Sequence, residues 1–561
     1  MAAKKKEIKV KNEKQPFIGM LPNGKPLLCT MYYERYYHFP EDLVLLERDC
    51  EEIKREGWTA TYSDYTGYIF TEVWKRWFDI CSKMDIYHTA NQWNVRPWLD
   101  EDLKSLYSNV PQAVDETGKK TDPKWRPYGH PAFQRMFVAH WKRFLDAYIK
   151  HPGMLRIWDI DGKFHPFIFL IYEVMMCTYG NWLISYDDDT LRHWHEWQSE
   201  KYGEVKFVEA PTCENKISDE AWLLWNEFRA EYLVEAWTKI REKLKEEYPD
   251  LYCGICFAQH GLIENRGNGR ANNPGIGLRG IRPELWRGKF DVYVSEHDGE
   301  NTGISGICAE ADLMRCMAQN KLYGVIPYLN TGRGAWWIWR PRQYVRNWTQ
   351  LEILGSLSIR RALIFHYGVN ERDDGAGIMS QGPRGPNQPL FMPETCEEVS
   401  KANHIYHEVA PYVMRAKLTP RHVGILLPYS GYIAHMAEGR TDNEMDIYIM
   451  SIYDFFFDRN IQVDWLFERD LSLERRGDLK DYDYVVLPDT GLPLDLKLVN
   501  SVSTYIEEGG KVILSERWTG SKCFSLLTDR TRDINVKERR VIRWPELRSR
   551  NLSHLLSLIH I

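Results

Sequence analysis

The chain has 561 residues, room for about three domains of ordinary size or one large barrel with an appended partner. Lys and Arg total 73 against 79 Asp and Glu, a formal net charge of −6, which argues against general polyanion binding, since that relies on clustered Lys and Arg. The longest apolar runs, such as 167–172, fall far short of the ~20 residues that span a bilayer, so no transmembrane helix is expected.

Residues 1–19 begin with Met-Ala-Ala-Lys-Lys-Lys and have no apolar stretch behind that basic start, so they read as a solvated tail and not as a secretory leader or an anchor. From residue 26 to about 368, eight β-type runs alternate with helical segments: 27–33, 58–63, 86–91, 155–160, 252–258, 290–295, 323–329 and 362–367. Helices are expected between them at 40–56, 133–150 and 221–247. Eight such units closing on themselves make a TIM (β/α)8 barrel, predicted here over residues 20–400, with its active site at the C-terminal ends of the strands. The stretches 99–128 and 177–218 are too long for tight connections and read as loops on that face. The Gly/Pro-rich segment 375–393 marks a loop or boundary, and a helix over 397–413 leads out of the barrel.

A second α/β unit follows over 418–520, with strands at 422–427, 462–466, 484–487 and 511–515 and helices at 444–457 and 496–508. This is the pattern of a flavodoxin-like domain. Glutamine amidotransferases use such folds, but the only cysteine after Leu418 is Cys523, which occupies no strand-to-helix elbow. Residues 521–561 carry no assignable pattern.

Eleven cysteines without framework spacing, an odd number, fit a reducing, cytoplasmic setting. Cys253-Gly-Ile-Cys256 has redox-pair spacing but lies in an extended apolar run, so a structural role is expected. Asp187-Asp188-Asp189 reads as the cap of a helix from Leu191, not as a calcium site. Asn265 to Ala271 has glycines without the Gly-Lys-Ser/Thr of a phosphate loop. No His pair has i,i+4 spacing around 193 and 195, so no metal and no cofactor is expected.

Aromatic residues are abundant: 22 Trp, 32 Tyr and 21 Phe. Their flat apolar faces with polar tips suit stacking on sugar rings. Polar residues at the expected strand ends supply the rest of a site: Glu34, Asp64, Asn91 and Trp93, Asp159 and Asp161, Gln259 and His260, Glu296, His297 and Asp298, Asn330 and His366. The set is rich in acids, and paired carboxylates beside aromatic platforms are what glycoside hydrolysis needs.

These residues carry a resemblance. Lys150-His151-Pro152, the following Trp158-Asp159-Ile160-Asp161-Gly162-Lys163-Phe164, and Trp194 to Gly203 are similar to the glycoside hydrolase family 42 β-galactosidases. So are Met31-Tyr32-Tyr33 with 49–57 and, in the second domain, Val463-Asp464, 484–488 and 505–512. The resemblance spans roughly residues 28–520 and implies a clan A barrel followed by a trimerisation domain, hence a homotrimer acting on oligosaccharides. In that family a Glu closing strand 4 is the acid/base and a Glu closing strand 7 is the nucleophile. The matching positions here hold Lys163 and Asn330, so neither role carries over.

Two readings follow. In the first, the chain cleaves β-linked galactosides or related oligosaccharides with Asp161 and Glu296 as the catalytic pair and Glu173 and Asp298 in reserve. Glu34, Asp64, Asn91, Trp93, Asp159, Asn330, Trp336 and His366 would bind the substrate. In the second, the barrel binds carbohydrate or serves in assembly without hydrolysis, keeping an aromatic wall that includes Trp93 and the 336–339 run.

Overall fold

The computed structural model describes residues 16–31, 42–64, 72–91, 101–121, 126–171, 184–212, 214–257, 263, 276–297, 299–327, 361–366, 393–416, 422–438, 442–472, 479–491, 494–515, 523–530 and 541–543. Nine strands form its first sheet: β1 (Leu28–Met31), β2 (Ala60–Asp64), β3 (Tyr87–Asn91), β4 (Arg156–Trp158), β5 (Phe164–Ile171), β6 (Tyr252–Phe257), β7 (Val292–His297), β8 (Leu322–Pro327) and β9 (Leu363–His366). All but β4 run parallel and close into a ring, β1-β2-β3-β5-β6-β7-β8-β9, with the β3–β5 seam at Asn91 opposite Phe169. This is the expected TIM barrel.

Strand alternation explains where the aromatic residues go. Tyr62, Phe167, Phe169 and Phe365 meet inside the ring, with centroids 4.8 to 6.4 Å apart. Burying each such side chain is worth up to about 3 kcal/mol. On the outer face of β3, His88 stacks on Trp77 at 4.5 Å and lies beside Trp74 at 5.2 Å, both from the helix Glu72–Met84. Among the described residues ten tryptophans are fully buried. Much of the aromatic excess is therefore core packing and not a sugar-stacking wall. Cys253 and Cys256 lie on opposite faces of β6 by the same alternation, both buried and free, as a structural pair should.

One strand departs from expectation. The run 155–160, read as barrel strand four, is β4, which pairs antiparallel with Phe164–Pro166 at the start of β5. Between them the chain reverses over Asp159-Ile160-Asp161-Gly162, where the Asp159 N–H donates to the Lys163 carbonyl at 3.1 Å and Gly162 holds φ 80°, a left-handed geometry that glycine adopts without strain. Only after this hairpin does β5 enter the ring as the true fourth strand.

The second sheet is parallel, in the order β11 (Val463–Phe467), β10 (Val423–Leu427), β12 (Tyr484–Pro488), β13 (Val512–Ser515), β14 (Val541–Arg543). Numbered from its own first strand this is 2-1-3-4-5, the flavodoxin order. The fifth strand comes from the C-terminal stretch that the sequence left unassigned. The barrel helix Gly299–Ala318 packs along edge strand β11. There Arg315, 6% exposed, bridges Asp312 of its own helix and Asp464 of β11, while Tyr453 and Tyr482 donate their hydroxyls to those two carboxylates at 2.7 and 3.0 Å. A buried guanidinium held by two carboxylates, each with a second donor, ties the two units together.

Candidate active site

At the C-terminal rim of the barrel, β2 ends at Asp64 and β3 at Asn91, and these residues are register partners. Asn91 is completely buried, yet neither atom of its amide has a hydrogen-bond partner among the described residues. Leaving such groups unpaired costs roughly 1–3 kcal/mol each. A carboxamide carries both a donor and an acceptor, so one hydroxyl group can satisfy either atom.

Across the ring, Glu296 is the fifth residue of β7, paired with Ile326, and shares the strand parity of Val292 and Val294, two members of the barrel-interior cluster. His366 closes β9 opposite Thr30, one residue after the inward Phe365. The side chains of Asp64, Glu296 and His366 lie outside the described set, as do the whole of Glu34, Trp93, Glu173, Asp298, Asn330 and Trp336.

A residue that the sequence did not single out supports this rim from behind. Glu310, fully buried in the helix Gly299–Ala318, accepts from the Ser295 hydroxyl at 2.9 Å and from the Ile263 N–H at 2.8 Å. It thereby pins the chain beyond β6 to β7 next to Glu296. The available signal was an acid within the otherwise apolar run Ile307-Cys308-Ala309-Glu310-Ala311.

Asp159 and Asp161 are not at the mouth. Both sit in the β4–β5 hairpin, at the N-terminal end of the fourth barrel strand and hence on the floor of the barrel. The expectation failed because the short β4 has the alternation of a barrel strand and ends in acids. Their partners explain them structurally. Asp161, half exposed, meets His165 Nε2 at 2.9 Å and accepts from the Lys163 N–H, and its carboxyl is held below the usual range chiefly by the His165 hydrogen bond. His165 Nδ1 faces the Asp250 carbonyl at 3.1 Å, and its ring stacks on Tyr252 at 3.9 Å. Tyr252 in turn donates to Asp159 at 2.6 Å, and burial with that carboxylate partner pushes its phenol well above the ordinary value. Among the described residues no three His, Cys, Asp or Glu side chains converge as metal ligands, and no helix is long and apolar enough to cross a membrane.

No protein-family model and no curated protein matches this sequence. Solved structures do match in shape. The β-galactosidase from Bacillus circulans sp. alkalophilus superposes with a TM-score of 0.65 at 15% identity, covering 90% of this chain and 72% of that one. A catalytic mutant of Gan42B, a family 42 β-galactosidase from G. stearothermophilus, gives 0.66 at 13% identity over 90% and 73%. The β-galactosidase of the psychrophilic Marinomonas ef1 gives 0.61 at 13% over 88% and 76%. The barrel followed by a flavodoxin-like sheet is the architecture this chain shares with those structures. More narrowly, the fold of this chain is that of the family 42 β-galactosidases.

Proposed function

We propose that the chain is a glycoside hydrolase acting on β-linked galactosides or related oligosaccharides, with Glu296 as one member of its carboxylate pair. The observation that carries this reading is the position of Glu296, near the C-terminal end of the sixth barrel strand, on the parity of the interior residues and across the ring from the unpartnered Asn91 amide. Asp161 is replaced as the second member. The fourth strand ends at Ile171, and the first acid beyond it is Glu173, so Glu173 takes the role that the family gives to a Glu closing that strand. In this mechanism one carboxyl stays protonated to assist the leaving oxygen while the other, ionised, attacks the anomeric carbon or activates water. Asp64, Asn91 and the residues at 34, 93, 330, 336 and 366 would bind sugar hydroxyls and faces.

The test is hydrolysis of aryl β-galactosides by the full chain. Glu296→Gln and Glu173→Gln should each lower kcat by about 10²–10⁴-fold or more, the range that general acid/base help contributes. Near wild-type turnover in both variants would reject the pair and turn attention to Asp298. The second reading, a carbohydrate binder without turnover, is favoured by one feature: Asn330, and no acid, stands at the family's strand 7 position. Sugar binding without product release, with no change on neutralising either Glu, would support it.

The assembly we infer is a homotrimer built on the second domain, which light scattering reporting a monomer at micromolar concentration would refute. A cytoplasmic setting is supported by the eight described cysteines, all free.

A further inference from the structure

The helix Gly299–Ala318 follows β7 after a single intervening residue and packs back along β7 and β8. Its middle, Ile307-Cys308-Ala309-Glu310-Ala311, is buried throughout. An apolar side chain would serve the packing at position 310 equally well, and a carboxyl group is costly to bury unless donors are brought to it. Glu310 has two such donors, and they come from different parts of the barrel rim. Its Oε2 accepts from the Ser295 hydroxyl at 2.9 Å and its Oε1 from the Ile263 N–H at 2.8 Å.

Both donor residues are themselves completely buried, so neither can turn to bulk water instead. Ser295 lies on β7 between its register partners Phe257 of β6 and Val325 of β8. Because Glu296 has the parity of the interior residues, Ser295 points outwards to the helix, and the backbone that Glu310 fixes is the one that carries Glu296. Ile263 lies beyond the C-terminal end of β6, the neighbouring strand of the ring. One carboxyl group therefore sets β7 against the helix behind it and, at the same time, against the chain that leaves β6 beside it.

A reacting group that misses its productive position by about 1 Å can cost 10²-fold in rate, and a side chain at a strand end is only as well placed as the backbone beneath it. We propose that Glu310 is a positioning residue of the active site: through Ser295 and Ile263 it holds the end of the sixth barrel strand, and with it Glu296, in place against the rim segment after β6. This proposal rests on the hydrolytic role of Glu296 given above. Glu310 touches no reacting atom and acts only through the strand.

The test is steady-state hydrolysis of an aryl β-galactoside by the full chain and its variants across a range of pH. Glu310→Leu keeps the bulk and the apolar packing but leaves the Ser295 hydroxyl and the Ile263 N–H unpaired, so kcat should fall about tenfold or more while KM stays within about twofold. Glu310→Gln keeps an acceptor for Ile263 and can donate to the Ser295 oxygen, and it should recover most of the loss. Ser295→Ala should lower kcat several-fold and add nothing when combined with Glu310→Leu, since both act through one contact. The carboxylate limb of the pH profile of kcat should move in Glu310→Leu and Ser295→Ala and return in Glu310→Gln, whereas a smaller folded fraction only scales the profile. Parent-like kcat in Glu310→Leu, equal losses in the Leu and Gln variants, or additive losses in the double variant would overturn the positioning role alone, provided that Glu296→Gln still abolishes turnover. No hydrolysis by the parent, or parent-like kcat in Glu296→Gln, would overturn the hydrolytic reading and this proposal with it. If Glu310→Leu proves unfolded, Ser295→Ala decides by its kcat and its pH limb.

Discussion

The molecule contains two parallel sheets, and their C-terminal edges have opposite fates. In a parallel sheet that edge is where loops and helix starts can gather a ligand. At the barrel's edge Asn91 is buried and its amide is unpartnered among the described residues. The second sheet fills its own. Glu468, the residue directly after β11, accepts from the Ser430 N–H at 3.1 Å and the Ser430 hydroxyl at 2.5 Å, occupying the start of the helix Tyr429–Ala437 where an anion would otherwise sit. Tyr448 receives the Asp489 N–H at 2.9 Å and donates to the Ser515 carbonyl, and Thr490 meets the Cys523 sulfur at 3.4 Å. Barrel residues cover the same end, with Arg282 over the Tyr429 ring at 5.1 Å and the Tyr429 hydroxyl donating to the Asn226 carbonyl. The second sheet thus shows a chain occupying the C-terminal edge of a parallel sheet with its own side chains.

The largest effect that would break this contrast is catalytic. Glu296→Gln should remove at least two orders of magnitude of turnover, whereas Thr490→Ala at the filled crevice should leave turnover within about twofold, because no reacting group is asked of it. Equal losses from the two would mean that the second sheet takes part in the chemistry.

Next in size is the bond between the two units. Arg315→Met leaves Asp312 and Asp464 buried without their cation, and removing one partner of such a group costs about 3–5 kcal/mol. Urea unfolding followed by tryptophan fluorescence should show it, since Trp465, whose indole N–H donates to the Ala309 carbonyl at 3.0 Å, reports on this junction. A loss below about 1 kcal/mol would mean that the two units are held by apolar contact alone.

How far the sequence could be read follows the same division between local and assembled features. Helix starts were legible because their signals are local: Asp187 caps its helix by accepting from the Asp189 and Thr190 N–H groups, as the acidic run suggested. Seven of the eight barrel strands were legible from alternation and spacing. The eighth was not, because Arg156–Trp158 has the pattern of a barrel strand, while Pro166 near the start of β5 argues locally against a central strand. That single slip moved two acids from the floor to the mouth. Glu310 was invisible for another reason: a buried acid on a helix acquires meaning only from what the fold sets against it, here Ser295 and Ile263.

Acid should act on the barrel in particular. His88 and His140 are fully buried there, and burial lowers each from 6.5 to about 3. Between those values the unfolded chain binds the proton and the folded chain does not, so this stability is complete above pH 6.5 and is lost as pH falls towards 3. At 1.36 kcal/mol per unit, each histidine should cost about 2 kcal/mol at pH 5, roughly 4 kcal/mol for the pair. His88→Gln should flatten the decline of thermal stability between pH 7 and 5 by about half. An unchanged slope would assign the acid sensitivity to other groups.

The smallest effect has the opposite sign and belongs to the second sheet. Burial raises the Glu468 carboxyl from 4.5 to about 6, against the lowering pull of Ser430 and Arg282, while Glu284 reinforces the rise. Here the folded chain binds the proton more tightly, so the contribution is fully present below pH 4.5 and is lost as pH rises through 6. The shift corresponds to about 2 kcal/mol. Glu468→Gln has no charge to desolvate and can still accept from the Ser430 N–H. It should therefore be more stable than the parent by about 1 kcal/mol at pH 8 and indistinguishable from it at pH 4.5. If the variant is instead weaker at pH 8, the carboxylate's bonds to Ser430 outweigh its burial, and the filled crevice is a binding arrangement that the chain satisfies for itself and not merely a closed gap.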